Sequence, residues 1–135
     1  MTAAAPLTKD HAAHARDWLR ANLTDRLRTD RAHDTPATLD ELKTCEAALH
    51  KAGLAGITWP VEYAGHGLTL REHLAINREI GLAPAPNSVN SIGKELVGPI
   101  VMAVGNDRQK AEFLPKSLTM DTIWCQGFSE PGAGS

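Results

Sequence analysis

The 135-residue chain carries 42% hydrophobic and 22% charged residues, a balance that allows one soluble domain with a single core and argues against a disordered or fibrous chain. Its formal net charge of -2 leaves no broad basic field, so nucleic acid is a poor partner. The first ten residues form no leader pattern and no stretch approaches the roughly 20 apolar residues that cross a bilayer, so no membrane span and a cytoplasmic location are expected.

Over residues 8–29, Ala15, Leu19, Leu23 and Leu27 recur every four positions beside Trp18, with Arg16, Asp17, Arg20 and Arg26 elsewhere on the wheel. That spacing predicts one amphipathic helix with a buried stripe. Residues 29–36 lose the pattern and end in Pro36, a loop. Thr38 with Glu41 three positions later is a capping box, opening a helix whose Leu42, Cys45, Leu49 and Ala52 share a face and which Gly53 stops. Thr69 and Glu72 repeat the signal before a helix carrying Leu74, Ile76 and Ile80 that fails before Pro84 and Pro86. Between these two helices, residues 53–68 are punctuated by Pro60, Gly65 and Gly67, which predicts a structured loop and no regular element.

Residues 92–104 have a helical pattern broken by Pro99, so two short helices or a kink are expected. Asn106 caps a last helix that Pro115 closes after about Leu114. Residues 122–129, with Ile123, Trp124, Cys125 and Phe128, form a short β-prone run, and 130–135 form a turn. One strand without neighbours leaves its donors and acceptors unpaired, so the chain is expected to be a fragment of a longer protein. The expected fold class is all-α: a helical domain over residues 1–119, then the first strand of a truncated β domain over 120–135.

Few residues point to chemistry by themselves. Cys45 and Cys125 match no C-x-x-C or zinc-ligand spacing and are expected as free thiols. His11 and His14 occupy neighbouring helix positions, but without carboxylate or cysteine partners they are expected as a solvated pair and not a metal site; His33, His50, His66 and His73 carry no assignment. Trp18 is expected in the core, Trp59 as a wedge holding its loop to the helices, and Trp124 where the β domain meets them. Gly132-Ala133-Gly134-Ser135 lacks the lysine of a phosphate loop and any following helix, so alone it is an ordinary turn. Its two glycines and successive N–H groups still suit close approach to an anionic ligand.

Three stretches change that picture when taken together: Trp59-Pro60-Val61-Glu62-Tyr63-Ala64-Gly65-His66-Gly67-Leu68, Gly105-Asn106-Asp107-Arg108-Gln109-Lys110 with Phe113-Leu114-Pro115, and Gly127-Phe128-Ser129-Glu130-Pro131-Gly132-Ala133-Gly134-Ser135. In this order and spacing they resemble the acyl-CoA dehydrogenase family over essentially the whole chain. The resemblance implies an amino-terminal helical domain, a middle β domain and a carboxy-terminal helical bundle, of which only the first is complete here. It implies FAD as cofactor, the Ser129 hydroxyl bonded to the flavin, backbone contacts along the ring from residues 126–128 with Gln126 and Phe128 among them, and Gly134 and Ser135 holding the cofactor, Ser135 also lying near the substrate.

The same resemblance implies an acyl-CoA substrate, an electron acceptor such as an electron-transfer flavoprotein, and a homotetramer or mixed tetramer. Its catalytic base is a glutamate of the carboxy-terminal bundle, so no catalytic residue is expected in this chain, which should be inactive alone; Glu62 and Glu130 are expected to fix their loops. An acyl-CoA oxidase or flavin monooxygenase of the same fold, or a non-catalytic subunit of a mixed tetramer, are the alternatives. Two departures stand out. Members commonly carry Gly-Gly where this chain has Ala64-Gly65, which costs about 1 kcal/mol or more if the first position needs a positive φ. The aspartate that normally follows the last serine of the motif has no counterpart after Ser135.

Overall fold

In the computed structural model, which describes residues 10–30, 32 and 35–133, the helices begin where capping chemistry puts them. Helix α1, His11–Asn22, opens on Asp10, whose carboxylate accepts from the Ala13 N–H at 2.9 Å. Helices α2, Leu39–Lys51, and α3, Leu70–Leu82, open on Thr38 and Thr69, whose N–H groups donate to Glu41 and Glu72 at 2.7 Å each. Between α3 and the next α-helix, a π-helical turn, Ile92–Val97, runs into α4, Gly98–Val104, with Pro99 in its first turn. The backbone stays helical through Val97 and Gly98, so in place of two separate helices the stretch changes winding at the π turn, where the Gly98 N–H already bonds five residues back to Gly93 and the bond pattern shifts just before the proline. The last helix, α5, Asp107–Thr119, opens on a reciprocal pair of Asn106 and Gln109 at 2.9 Å in both directions.

Three expectations about the helices change. The first helix ends at Asn22, well short of Thr29: the Asn22 amide donates back to the Trp18 carbonyl at 2.8 Å, Leu23 turns extended, and a 3-10 turn follows at Asp25–Leu27. Leu23 and Leu27 remain half-buried, because apolar spacing reports which side chains face inward and not whether the backbone ladder continues. Leu74 is exposed, whereas Ile76 is completely buried and Ile80 packs beside it. Pro115 lies inside α5 instead of ending it. The carbonyl it orphans belongs to the exposed Ala111, where water can serve it, and buried Leu114, Ser117 and Leu118 hold the last turn in place.

Helix α1 packs on α3 over a core of Ala15, Leu54, Ile57 and Ile76, with Trp18, Leu49 and Ile80 against it. A second core gathers Trp59, Leu114 and Leu118 with Tyr63, Val101 and Met102. The loop over residues 53–68 supplies both cores, Leu54 and Ile57 to one and Trp59 and Tyr63 to the other. Trp59 is the expected wedge: a Cβ on Gly98 would stand 2.2 Å from its ring.

That loop contains one 3-10 turn, Val61–Tyr63, and otherwise closes on itself. Gly67 N–H donates to the Trp59 carbonyl at 2.9 Å, Leu68 N–H to Ile57 at 2.9 Å and His66 N–H to Gly56 at 3.1 Å. Ala64 does adopt a left-handed φ of 65°. Gly65 has a different reason to be glycine, since a Cβ there would stand 2.1 Å from the Trp59 carbonyl oxygen.

The histidines tie these pieces together. His14 Nε2 meets the Ala52 carbonyl at 2.8 Å, His50 Nε2 the Ala64 carbonyl at 2.7 Å and His66 Nε2 the His50 carbonyl at 3.2 Å, with each ring nitrogen as donor. His11 pairs with Glu72 at 3.0 Å. The expected solvated pair is therefore two partly buried latches, and His33 lies outside the described residues. Among the described residues the β structure is limited to a single bridge between Glu130 and Ala133, and no helix is long and apolar enough to cross a membrane. The β-prone run at 122–129 joins no ladder, since no neighbouring strand offers it partners.

Candidate functional site

The carboxy-terminal run leaves the helices at a defined point. After α5 the chain reverses at Met120, which is buried with a left-handed φ of 68°. Trp124 is then held three ways: its N–H donates to Asn90 Oδ1 at 2.9 Å, its indole N–H donates to Ser117 Oγ at 2.8 Å, and its ring meets Phe113 edge-on with centroids 5.5 Å apart. Asn90 is fully buried, and its amide group also donates to the carbonyls of Ser117 at 2.8 Å and Thr122 at 3.0 Å. All three of its polar valences that reach a partner are thus spent on the end of α5 and the run beyond it.

Past Trp124 the character changes. Cys125, Gln126, Gly127, Phe128 and Ser129 are all exposed, Phe128 at 85%. Gly132, with φ +90°, makes a turn closed by Glu130 N–H to the Ala133 carbonyl at 2.8 Å and the return bond at 3.0 Å. Gln126, Phe128 and Ser129 therefore lie on one open run and against no other element; Gly134 and Ser135 fall outside the described residues. Glu130 holds its turn through its backbone, and Glu62 is exposed beside Tyr63, whose phenol is pushed up by burial and then by that carboxylate. The open run keeps a hydroxyl and backbone donors and acceptors open to a ligand, with glycines that allow close approach.

The cleft of about 340 Å³ between α2, α3 and the loop holds a second polar group that sequence reading overlooked. Glu46, buried on α2, accepts from the Val89 N–H at 2.9 Å and also binds the Ser88 hydroxyl and Lys94. A carboxylate with its partners filled this way ties two segments and is poorly placed to act as a base. Its signal was present: Glu46 follows Leu42 by four and precedes Leu49 by three, which puts it on the apolar face. Glu79, three after Ile76, is the analogous case, held by Arg16 at 3.0 Å, which lowers its carboxyl pKa. Asn90 had no such signal, because its partners lie far along the chain.

Comparison with known proteins gives a consistent result. Residues 8–121 match the model of the acyl-CoA dehydrogenase N-terminal domain. The chain is 37% identical over 131 residues to acyl-CoA dehydrogenase IpdE1 of Mycolicibacterium smegmatis, covering 94% of this chain and 33% of that protein. It is 35% identical over 88 residues to mitochondrial isovaleryl-CoA dehydrogenase of Pongo abelii, covering 64% and 21%. Among solved structures, the ChsE4-ChsE5 complex of Mycobacterium tuberculosis matches with a TM-score of 0.72 and 28% identity over 99% of this chain and 33% of the matched chain. The Tcur3481-Tcur3483 steroid ACAD matches with a TM-score of 0.70 and 28% identity over 91% and 31%. The chain spans about a third of the length of the first of these relatives.

Proposed function

The chain belongs to the acyl-CoA dehydrogenase family, and on that premise we propose that it is the amino-terminal part of an FAD-dependent enzyme that desaturates an acyl-CoA thioester between its α and β carbons. The observation that carries this reading is the passage, at Trp124, from a clamped chain to an open run of exposed residues ending in the Gly132 turn. FAD supplies the hydride acceptor for the β carbon when bound. In this reading residues 1–119 are the helical domain and 120–135 begin the domain that holds the cofactor.

The contribution of these residues is binding and electrostatics. With FAD bound, Ser129 would donate a hydrogen bond to the ring, Gln126 and Phe128 would lend backbone groups alongside it, and Gly134 and Ser135 would help hold the cofactor, Ser135 also near the acyl-CoA. The donors would stabilise the negative charge the ring gains on reduction. The α-proton goes to a carboxylate outside these 135 residues, so the chain alone is inactive. Electrons leave for a carrier such as an electron-transfer flavoprotein, in a cytoplasmic homotetramer or mixed tetramer. Similarity to a chain of a solved two-protein complex supports assembly.

The test uses the full-length protein. Anaerobic mixing with acyl-CoA should bleach the flavin, and Ser129→Ala should slow that step by ~10²-fold, as for loss of one preorganised donor. Unchanged reduction kinetics would remove Ser129 from the site. A full-length protein that purifies colourless and takes up no FAD would overturn the reading, and rapid reoxidation by oxygen during turnover would favour the oxidase or monooxygenase alternative. Stoichiometric FAD binding by the 135-residue chain alone would contradict the assignment of most of the site to residues beyond it.

A further inference from the structure

Resting on the flavin reading above, we propose that Asn90, Ser117 and Trp124 form a clamp that fixes the direction in which residues 126–129 leave the helices, making Asn90 and Ser117 positioning residues for the cofactor. Neither touches the exposed run itself. Their bonds hold the chain at two points, Thr122 through its carbonyl and Trp124 through its N–H and indole, and two fixed points set a direction where one would set only a pivot.

The geometry gives the clamp leverage. Ser129 lies five residues beyond Trp124, roughly 16 Å along an extended chain. A rotation of about 10° at the clamp would therefore move the Ser129 hydroxyl by about 3 Å, as much as a whole hydrogen-bond length. Packing by apolar contact alone would tolerate such a rotation, because it is non-directional; a buried amide with three satisfied bonds does not. Gly93 completes the device: a Cβ there would stand 2.5 Å from both Asn90 Oδ1 and Trp124 Cδ1, so the close approach of these two groups requires glycine.

Two measurements test the clamp separately from the cofactor. In the 135-residue chain, hydrogen exchange followed by NMR should show the Trp124 amide at least 10²-fold slower than the amides of residues 126–129; equal rates would overturn the clamp. In the flavin-loaded full-length protein, Trp124→Phe and Ser117→Ala each remove the indole bond while leaving the Asn90 bond to the Trp124 amide. Each should change the visible circular dichroism of the flavin and slow its reduction about tenfold with KM within twofold, and the double variant should be no worse than either single one. A lowered melting temperature with unaltered flavin dichroism and reduction rate would make the three residues merely structural and sink the proposal. A wild-type protein that binds no flavin sinks the proposed function instead, and the clamp is then judged by the Trp124 amide alone.

Discussion

The loop over residues 53–68 and the run over residues 125–133 are alike in composition and opposite in structure. Both lack an α-helix, bear glycines and are interrupted by proline. The first fills its own hydrogen bonds and feeds Leu54, Ile57 and Trp59 into two cores. The second leaves Gln126, Phe128 and Ser129 exposed and closes only one small turn. The first segment therefore belongs to the scaffold, whereas the second is bonded to the helices at Trp124 and keeps its groups available beyond it.

The contrast breaks most readily at Gly65. Its alanine variant must displace the Trp59 carbonyl, and urea denaturation should show a loss of about 3 kcal/mol. A loss under about 1 kcal/mol would mean that the loop yields readily around the Trp59 carbonyl. The neighbouring change goes the other way: Ala64→Gly relieves a left-handed alanine and should raise stability by about 0.5–1 kcal/mol after the greater freedom of glycine in the unfolded chain is subtracted.

Acid should loosen the same loop. Burial, and then the neighbouring His50, hold the His66 pKa below the ordinary imidazole value. The unfolded chain therefore takes up that proton first as pH falls, so the contribution of neutral His66 is complete above about pH 6.5 and is lost as the pH drops through that value toward the folded pKa. Denaturation midpoints should decline between pH 7.5 and 5.5, and His66→Gln, which keeps an N–H donor, should flatten that decline; a slope identical in the variant would clear His66 of the effect. The smallest change belongs to the open run, where Phe128→Ser should alter the stability of the chain by no more than about 0.5 kcal/mol. A larger loss would show that Phe128 packs within the fold, and the run would no longer differ from the loop in kind.

How much of this could be read beforehand depends on the distance between partners. The starts of α2, α3 and α5 were legible at Thr38, Thr69 and Asn106 because each cap and its return partner lie three residues apart. The end of α1 and the passage of α5 through Pro115 were not. One depends on the Asn22 side chain and a bond from Thr29 to Pro84, the other on burial of Leu114 and Leu118. At the candidate site the motif from Ser129 to Ser135 was legible as a family signature, while the Asn90 bonds that root it span 27 to 34 residues and leave no local trace.

From residue order alone came the all-helical character, the capped starts, the stops at Gly53 and before Pro84, and the family to which the terminal motif points. Tertiary structure alone decided where α1 ends, how α5 passes through Pro115 and which distant groups hold the chain at Trp124. Short-range hydrogen bonds and steric limits act within a few residues and are written in the sequence. Burial and cross-chain bonds depend on which distant segments meet, and only the folded chain brings Asn90 to Trp124.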